Sequence, residues 1–197
     1  MATQIIVTEK SQRPQQKFVA VRGHEDAEVA ELVREFRPQI FRFLLASLRD
    51  RDVAETLTQE CFLRAWRNWS SFRGEASPRT WLMQIAVNLL RDNWRSRRVQ
   101  FWRHARTASV DLDEACEWLP SQESSPEQRA SAVQQVRLVW AAVEDLSERQ
   151  RTVFLLRFVE EMELREIAAA TGLNEGTVKS HLSRALAGVR AKMGGKR

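Results

Sequence analysis

Apolar residues recur along most of the chain at the three-and-four spacing of a helix face. Val29, Leu32, Val33 and Phe36 form the first stripe, and Ile40, Phe41, Leu44, Leu45 and Leu48 resume it after Pro38. A proline there either opens a second helix or kinks one long helix. Asp52 with Glu55 has the form of a capping box. Behind it Val53, Leu57, Cys61, Ala65 and Trp66 predict a helix ending near Trp69. Residues 70–76 (SSFRGEA) read as a loop. Ser77-Pro78 then offers an N-cap with proline at the first helical position, and Leu82, Ile85, Ala86 and Leu89 give the following helix its buried face.

The same periodicity returns in the second half. Ser125-Pro126-Glu127-Gln128 carries a capping signal, and Val133, Val136, Trp140 and Val143 take a helix to about Asp145. Ser147-Glu148-Arg149-Gln150 repeats the Ser-x-x-Gln pattern ahead of Val153 and Leu156. Leu164, Ile167 and Ala168 predict a short helix stopped by Gly172, which suits a left-handed cap. Asn174 then caps a last helix with Val178, Leu182, Ala185, Leu186 and Val189 on one side. No stretch alternates with the period of a strand. The fold class expected is all-α.

Charge divides this helical string in two. Residues 91–106 hold six arginines (Arg91, Arg95, Arg97, Arg98, Arg103 and Arg106) against one acid, Asp92. Residues 107–128 hold six acids (Asp111, Asp113, Glu114, Glu117, Glu123 and Glu127) and no base. With Pro120, Pro126 and several serines, that second stretch reads as a flexible acidic linker between two small helical domains. The expected division is an N-terminal arm over 1–24, a first unit over 25–106, the linker over 107–125, a second unit over 126–193 and a basic tail over 194–197.

Composition narrows the chemistry. A chain of 197 residues with 7 Gly and 5 Pro fits neither a collagen-like nor a turn-rich all-β protein. Cys61 and Cys116 are far apart, and His24, His104 and His181 are scattered, so neither a disulfide framework nor a zinc site is expected. No apolar run approaches the ~20 residues of a membrane span, and the N-terminus lacks the pattern of a signal peptide. The expected compartment is therefore the cytoplasm, with both thiols structural. No Gly-rich phosphate loop or nucleophile motif points to catalysis. Glu160, Glu161 and Asp145, at loop or helix-end positions, read as solvated acids. The net charge of +5 permits an anionic partner without naming it.

The last two helices name it more closely. Residues 163–190 have the anatomy of a helix-turn-helix: a short helix with Ala168, Ala169 and Ala170, a glycine turn, then a longer helix. On a helical wheel the apolar residues of the second helix cluster within ~80° of Val178. Lys179, Ser180, Ser183 and Arg184 fall between ~100° and ~240° on that wheel. Cations and hydroxyls suit base edges and phosphates. From Gly176 to Arg197 there are six Lys/Arg and no acid, which favours DNA through counterion release. Earlier in the chain Trp66 and Trp81 fit buried helix positions. Trp94 and Trp102 sit among arginines, an interleaving that suits unpaired bases.

Together the two units resemble a bacterial RNA polymerase sigma factor of the extracytoplasmic-function (ECF) group. The matching stretches are DVAETLTQECFLRAW (52–66), FRGEASPRTWLMQIAVNLLRDNWRSRR (72–98) and LSERQRTVFLLRFVEEMELREIAAATGLNEGTVKSHLSRAL (146–186). The resemblance implies two helical domains, regions 2 and 4, and transcription initiation without a cofactor, metal or catalytic residue. It implies that Asp52, Glu55, Gln59 and Glu60 grip the clamp of the largest subunit of core RNA polymerase. Phe72 and Asn88 match the motif that captures a flipped base of the melted −10 element, with Arg91, Arg95, Arg97 and Arg98 tracking phosphates. Lys179, Ser180, Ser183 and Arg184 match the positions that read the −35 element of promoter DNA. The acidic linker would lie in the positively charged channel of the enzyme, imitating nucleic acid. An anti-sigma factor is implied as a further partner. The chain departs from the family at Thr56, where a second acid is usual, at His181 and Leu186, where arginines are frequent, and at Ser147, where proline is common. The competing reading is a stand-alone helix-turn-helix regulator with a helical sensing or dimerisation domain, which leaves the SSFRGEASPRTW loop and the Arg/Trp block without a task.

Overall fold

Local rules fix where each helix begins and ends. In the computed structural model, the described residues are 15–101 and 126–194, with side chains described over 27–96 and 134–194. They form seven helices: α1 (Gln15–Leu48), α2 (Arg51–Arg67), α3 (Pro78–Phe101), α4 (Pro126–Glu144), α5 (Glu148–Phe158), α6 (Leu164–Thr171) and α7 (Glu175–Gly194). A single 3-10 turn, Trp69–Ser71, follows α2, and no strand occurs among the described residues. The expected acidic linker over 107–125 lies outside the described residues, and so do Trp102, Cys116 and the last three residues of the tail.

Several boundaries differ from expectation. α1 starts at Gln15, inside the stretch expected as an arm, and it is one helix with Pro38 in its interior. Pro38 is exposed, so water can hydrate the backbone carbonyl that loses its helical partner there. The cap of α2 is Asp50 rather than Asp52: Asp50 Oδ1 accepts from the Val53 amide at 3.0 Å. The Ser125-Pro126-Glu127-Gln128 signal lies outside the described side chains, and three other signals hold. Ser77 Oγ accepts from the Thr80 amide at 3.2 Å, Gln150 Oε1 from the Ser147 amide at 3.2 Å, and Asn174 Oδ1 from the Thr177 amide at 2.7 Å.

In the first unit α1, α2 and α3 pack together around Phe43, Leu44, Leu82, Met83 and Leu90. Cys61 is buried there, its thiol donating to the Leu82 carbonyl at 3.6 Å, and burial pushes its pKa up to about 12. That thiol is structural, as expected. In the second unit α5, α6 and α4 surround the buried side of α7, with Leu155, Leu156, Ile167 and Val178 inside. The units are not held apart. α6 packs on α3 and α5 on α1, and the buried apolar cluster runs from one unit into the other.

Two sequence readings are overturned by this packing. Trp66 is half exposed rather than buried, on the same α2 ridge as exposed Leu63. Glu160 is not a solvated acid: its residue is 1% exposed, in the turn between α5 and α6, where α1 and α3 cover it. Glu161 beside it and Asp145 are exposed as expected.

Two outcomes follow from local geometry. Gly172 has φ +69° at the α6 C-cap, with open space where a Cβ would stand. Gly172→Ala should therefore cost roughly 1–2 kcal/mol in urea denaturation, from backbone conformation alone. His181 is half-buried on α7, with Nδ1 lacking a partner among the described residues. Desolvation, then Arg149 and Arg184, hold its pKa below the ordinary 6.5. The unfolded chain binds the extra proton between those two values, so stability falls as pH drops through and below about 6.5. Wild type should lose more stability than His181→Gln between pH 7 and pH 5 in thermal melts; equal losses would contradict that environment.

Candidate nucleic-acid and polymerase interface

The turn between α6 and α7 sets which side of α7 faces outward. Left-handed Gly172 reverses the chain, and the Leu173 amide donates back to the Ala168 carbonyl at 3.2 Å. Ala170 on α6 is buried and small, so the helices approach closely. Val178, Ala185 and Val189 then lock the inner face of α7. Lys179, Ser180, Ser183 and Arg184 are all exposed, as the wheel arrangement predicts. Ser180 Oγ donates to the Gly176 carbonyl at 3.0 Å, leaving its lone pairs outward. His181 is half-buried, between this exposed face and the core.

The second surface runs from the 3-10 turn along α3. Phe72 is half-buried in an aromatic triad, stacked on Trp69 with centroids 5.2 Å apart and 5.0 Å from Trp81. Trp69 is itself fixed by Nε1–H donating to Glu28 Oε2 at 2.8 Å. The sequence reading assigned only Phe72 of this triad to the site and read Trp81 as a buried helix position. The Ser77-Pro78 cap folds α3 back, and that fold brings Trp81 beside residues nine to twelve positions earlier. Beyond the triad, Gln84, Asn88, Arg91 and Arg95 make an exposed stripe at helical spacing. Arg91 Nη1 lies 3.5 Å from Asn88 Oδ1, and Nη2 donates to the Thr171 carbonyl at the end of α6. Desolvation at that contact, and then Arg149, lower the Arg91 pKa. A cleft of about 390 Å³ opens here, lined by Arg91, Trp94, Arg95 and Arg149 among others. Trp94 is half-buried against the core, so it is a cleft wall as well as an aromatic among cations. The side chains of Arg97 and Arg98 fall outside the described residues.

The third surface is the outer face of α2. Asp52 and Gln59 are exposed, with Glu55 half-buried between them on one stripe. Glu55 pairs with Arg37 of α1 and accepts from Gln59 Nε2 at 3.3 Å. Glu60 lies one ridge over, paired with Arg64 at 2.7 Å. Thr56 Oγ1 donates to the Asp52 carbonyl at 2.8 Å, so its hydroxyl is spent within the helix. Leu63 and Trp66 continue the stripe as exposed apolar residues, which the sequence reading missed by placing Trp66 in the core. The signal was present: positions 52, 56, 59, 63 and 66 step by four and three along one helix face.

The described residues therefore offer a cationic and hydroxylic helix, an aromatic and arginine groove, and an acidic-to-apolar helix face. No described helix is long and apolar enough to cross a membrane, and no cluster of possible metal ligands occurs among the described residues.

Comparison with known proteins agrees with this anatomy. The family described as Sigma-70 region 2 matches residues 32–100, and that described as Sigma-70, region 4 matches residues 137–187. The chain is 30% identical to the RNA polymerase sigma-E factor of Streptomyces antibioticus over 86% of either chain. It is 28% identical to the ECF RNA polymerase sigma factor SigX of Bacillus subtilis, over 80% of this chain and 79% of that one. Its fold matches the sigma factor RpoE of Bartonella quintana, solved in complex with the anti-sigma factor NepR, with a TM-score of 0.66 and 24% identity. That match covers 86% of this chain and 99% of the other. The α2 face and the Phe72 loop fall within the first matched region and the turn of the helix-turn-helix within the second, and the chain belongs to the ECF group of the sigma-70 family of RNA polymerase sigma factors.

Proposed function

We propose that this sigma factor splits promoter reading between its two units. α7 enters the major groove of duplex DNA at the −35 element. Lys179 and Arg184 contact phosphates or guanine edges there, and Ser180 and Ser183 contact either. The aromatic triad and the Asn88 stripe receive the melted −10 strand. Phe72, backed by Trp69 and Trp81, offers a stacking wall for an extruded base. Arg91, Arg95, Arg97 and Arg98 neutralise the adjoining phosphates.

Asp52, Glu55, Gln59 and Glu60 make the polar part of the contact with the clamp of core polymerase, which holds the two units at promoter spacing. Polymerisation belongs to that partner, so the chain itself is not an enzyme, and it works where the polymerase is, in the cytoplasm. The acidic linker occupies the enzyme's basic channel. An anti-sigma factor regulates the chain, a reading supported by the solved complex of the similarly folded sigma factor RpoE with the anti-sigma factor NepR.

The observation that carries this reading is the exposure of Lys179, Ser180, Ser183 and Arg184 together on the second helix of a helix-turn-helix. Each lost base contact of this kind is worth about 1–3 kcal/mol. Lys179→Ala and Arg184→Ala should therefore each lower −35-dependent transcription about tenfold, shrink the salt dependence of promoter binding, and leave affinity for core polymerase unchanged. Loss of core affinity instead would show that α7 has been misassigned.

A further inference from the structure

Charge is matched on one side of the seam between the two units and unmatched on the other. On the matched side Arg42 of α1 clasps Glu160 with both ends of its fork, Nε to Oε1 at 2.9 Å and Nη2 to Oε2 at 2.7 Å. Arg79 of α3 and Arg151 of α5 reach across to backbone carbonyls near helix ends, those of Glu160 and Ser47. On the other side, where α3 passes the start of α5 and the turn between α6 and α7, lies the cleft of about 390 Å³. Arg91 and Arg95 line it from α3, and Arg149 lines it from α5. All three arginines are exposed, and Trp94 gives the cleft an aromatic wall.

The charge in this cleft is one-sided. Its described lining carries a single acid, Glu148, and that acid, together with Glu144, bears on Arg151. Arg91 is instead pressed by desolvation and then by the charge of Arg149, which lower its pKa. The hydroxyls of the lining are already spent: Thr152 Oγ1 donates to the Glu148 carbonyl at 2.8 Å, and Thr171 Oγ1 to the Ile167 carbonyl at 2.6 Å. Arg91 is tied to the Thr171 carbonyl, but Arg95 and Arg149 have no hydrogen-bond or ion-pair partner among the described residues. Cations gathered in a cleft without matching acids raise its potential and draw an anion into it.

Shape narrows the anion. A guanidinium fork pairs with two oxygens of one phosphate, so three forks suit several phosphates joined together. The volume lies in the range of small-molecule sites, about 300–1,000 Å³. The indole of Trp94 offers a base a stacking surface. A lone inorganic anion uses neither the volume nor Trp94, and a duplex is far too bulky to enter. A single nucleotide with a chain of phosphates uses all of these features.

We infer that the cleft between α3 and α5 is a site for a nucleoside polyphosphate, with Arg91, Arg95 and Arg149 on its phosphates and Trp94 on its base. Both units contribute to the site, so its occupant ties α3 to α5. Arg91 and Arg95 are also the arginines proposed above for the melted strand, and nucleotide and strand therefore compete for them. That competition rests on the −10 assignment, whereas the site itself does not.

Calorimetry on the full-length chain, without polymerase or added metal, tests the site with adenosine triphosphate, inorganic tripolyphosphate and adenosine as probes. Adenosine triphosphate should bind once per chain with micromolar affinity. Tripolyphosphate, which lacks the base, should bind about tenfold more weakly, and adenosine not measurably. Arg149→Glu, at a residue given no promoter contact above, should weaken the nucleotide roughly tenfold or more. Arg165→Glu makes the same change of charge at an exposed α6 position outside the cleft and should leave affinity unchanged. Circular dichroism checks helix content, and Arg149→Gln decides if Arg149→Glu loses it. No binding at millimolar nucleotide, several nucleotides bound per chain, or equal weakening by the two Glu substitutions would overturn the site. Tripolyphosphate binding as tightly as adenosine triphosphate would overturn the assignment to a nucleotide. In a second arm, adenosine triphosphate should displace a labelled single-stranded −10 oligonucleotide from the wild-type chain. Binding that depends on Arg149 but displaces no strand would support the site and remove the −10 assignment from Arg91 and Arg95.

Discussion

A carboxylate taken out of water must be answered by a cation, and in this chain the answer to Glu160 comes from the other half of the molecule. That requirement couples two units that are otherwise built by local rules. Each unit is a set of amphipathic helices with apolar faces turned inward. Neither set needs the other to explain its caps or its turns. The pairing of Arg42 with Glu160, and the arginines laid on helix-end carbonyls beside it, specify how the two sets sit together.

The three surfaces follow from helix geometry acting on ordinary residue choices. α7 shows cations and hydroxyls because its apolar residues fall on one side and a left-handed glycine fixes which side faces α5. The groove along α3 exists because a Ser-Pro cap turns the chain back and stands Trp81 against Trp69 and Phe72. The outer face of α2 is open because its other faces are occupied by α1 and α3. Reading duplex, reading strand and gripping a protein partner thus demand no catalytic group. They demand rigid helices that present the right edge.

Much of this was legible in the sequence because it is local. The spacing of Val178, Leu182, Ala185, Leu186 and Val189 placed Lys179, Ser180, Ser183 and Arg184 outward, and the structure agrees. Gly172, Asn174, Ser77 and the Ser147–Gln150 pair were readable as caps from a few residues each. Most of what escaped depended on contacts distant in sequence. Glu160 looked solvated because its partner lies 118 residues away. Trp66 looked buried because tryptophan usually is, yet it stands half exposed on the α2 ridge that carries Leu63. The cap of α2 was misread by two residues because Asp50 and Asp52 both fit the pattern, and only the position of the Val53 amide separates them. The aromatic triad needed the fold-back of α3, which a list of tryptophans does not contain.

The claim on which all of this turns is that the chain addresses a polymerase to particular start sites. Transcription by purified core enzyme with and without the chain, on a pooled promoter library with every start site sequenced, measures that directly. Starts should occur that require the chain and share two elements at constant separation, one near ten and one near thirty-five positions upstream. If no start depends on it, and the chain alone instead retards duplex promoter DNA with high sequence selectivity, it is a stand-alone regulator and the division of labour described here is wrong.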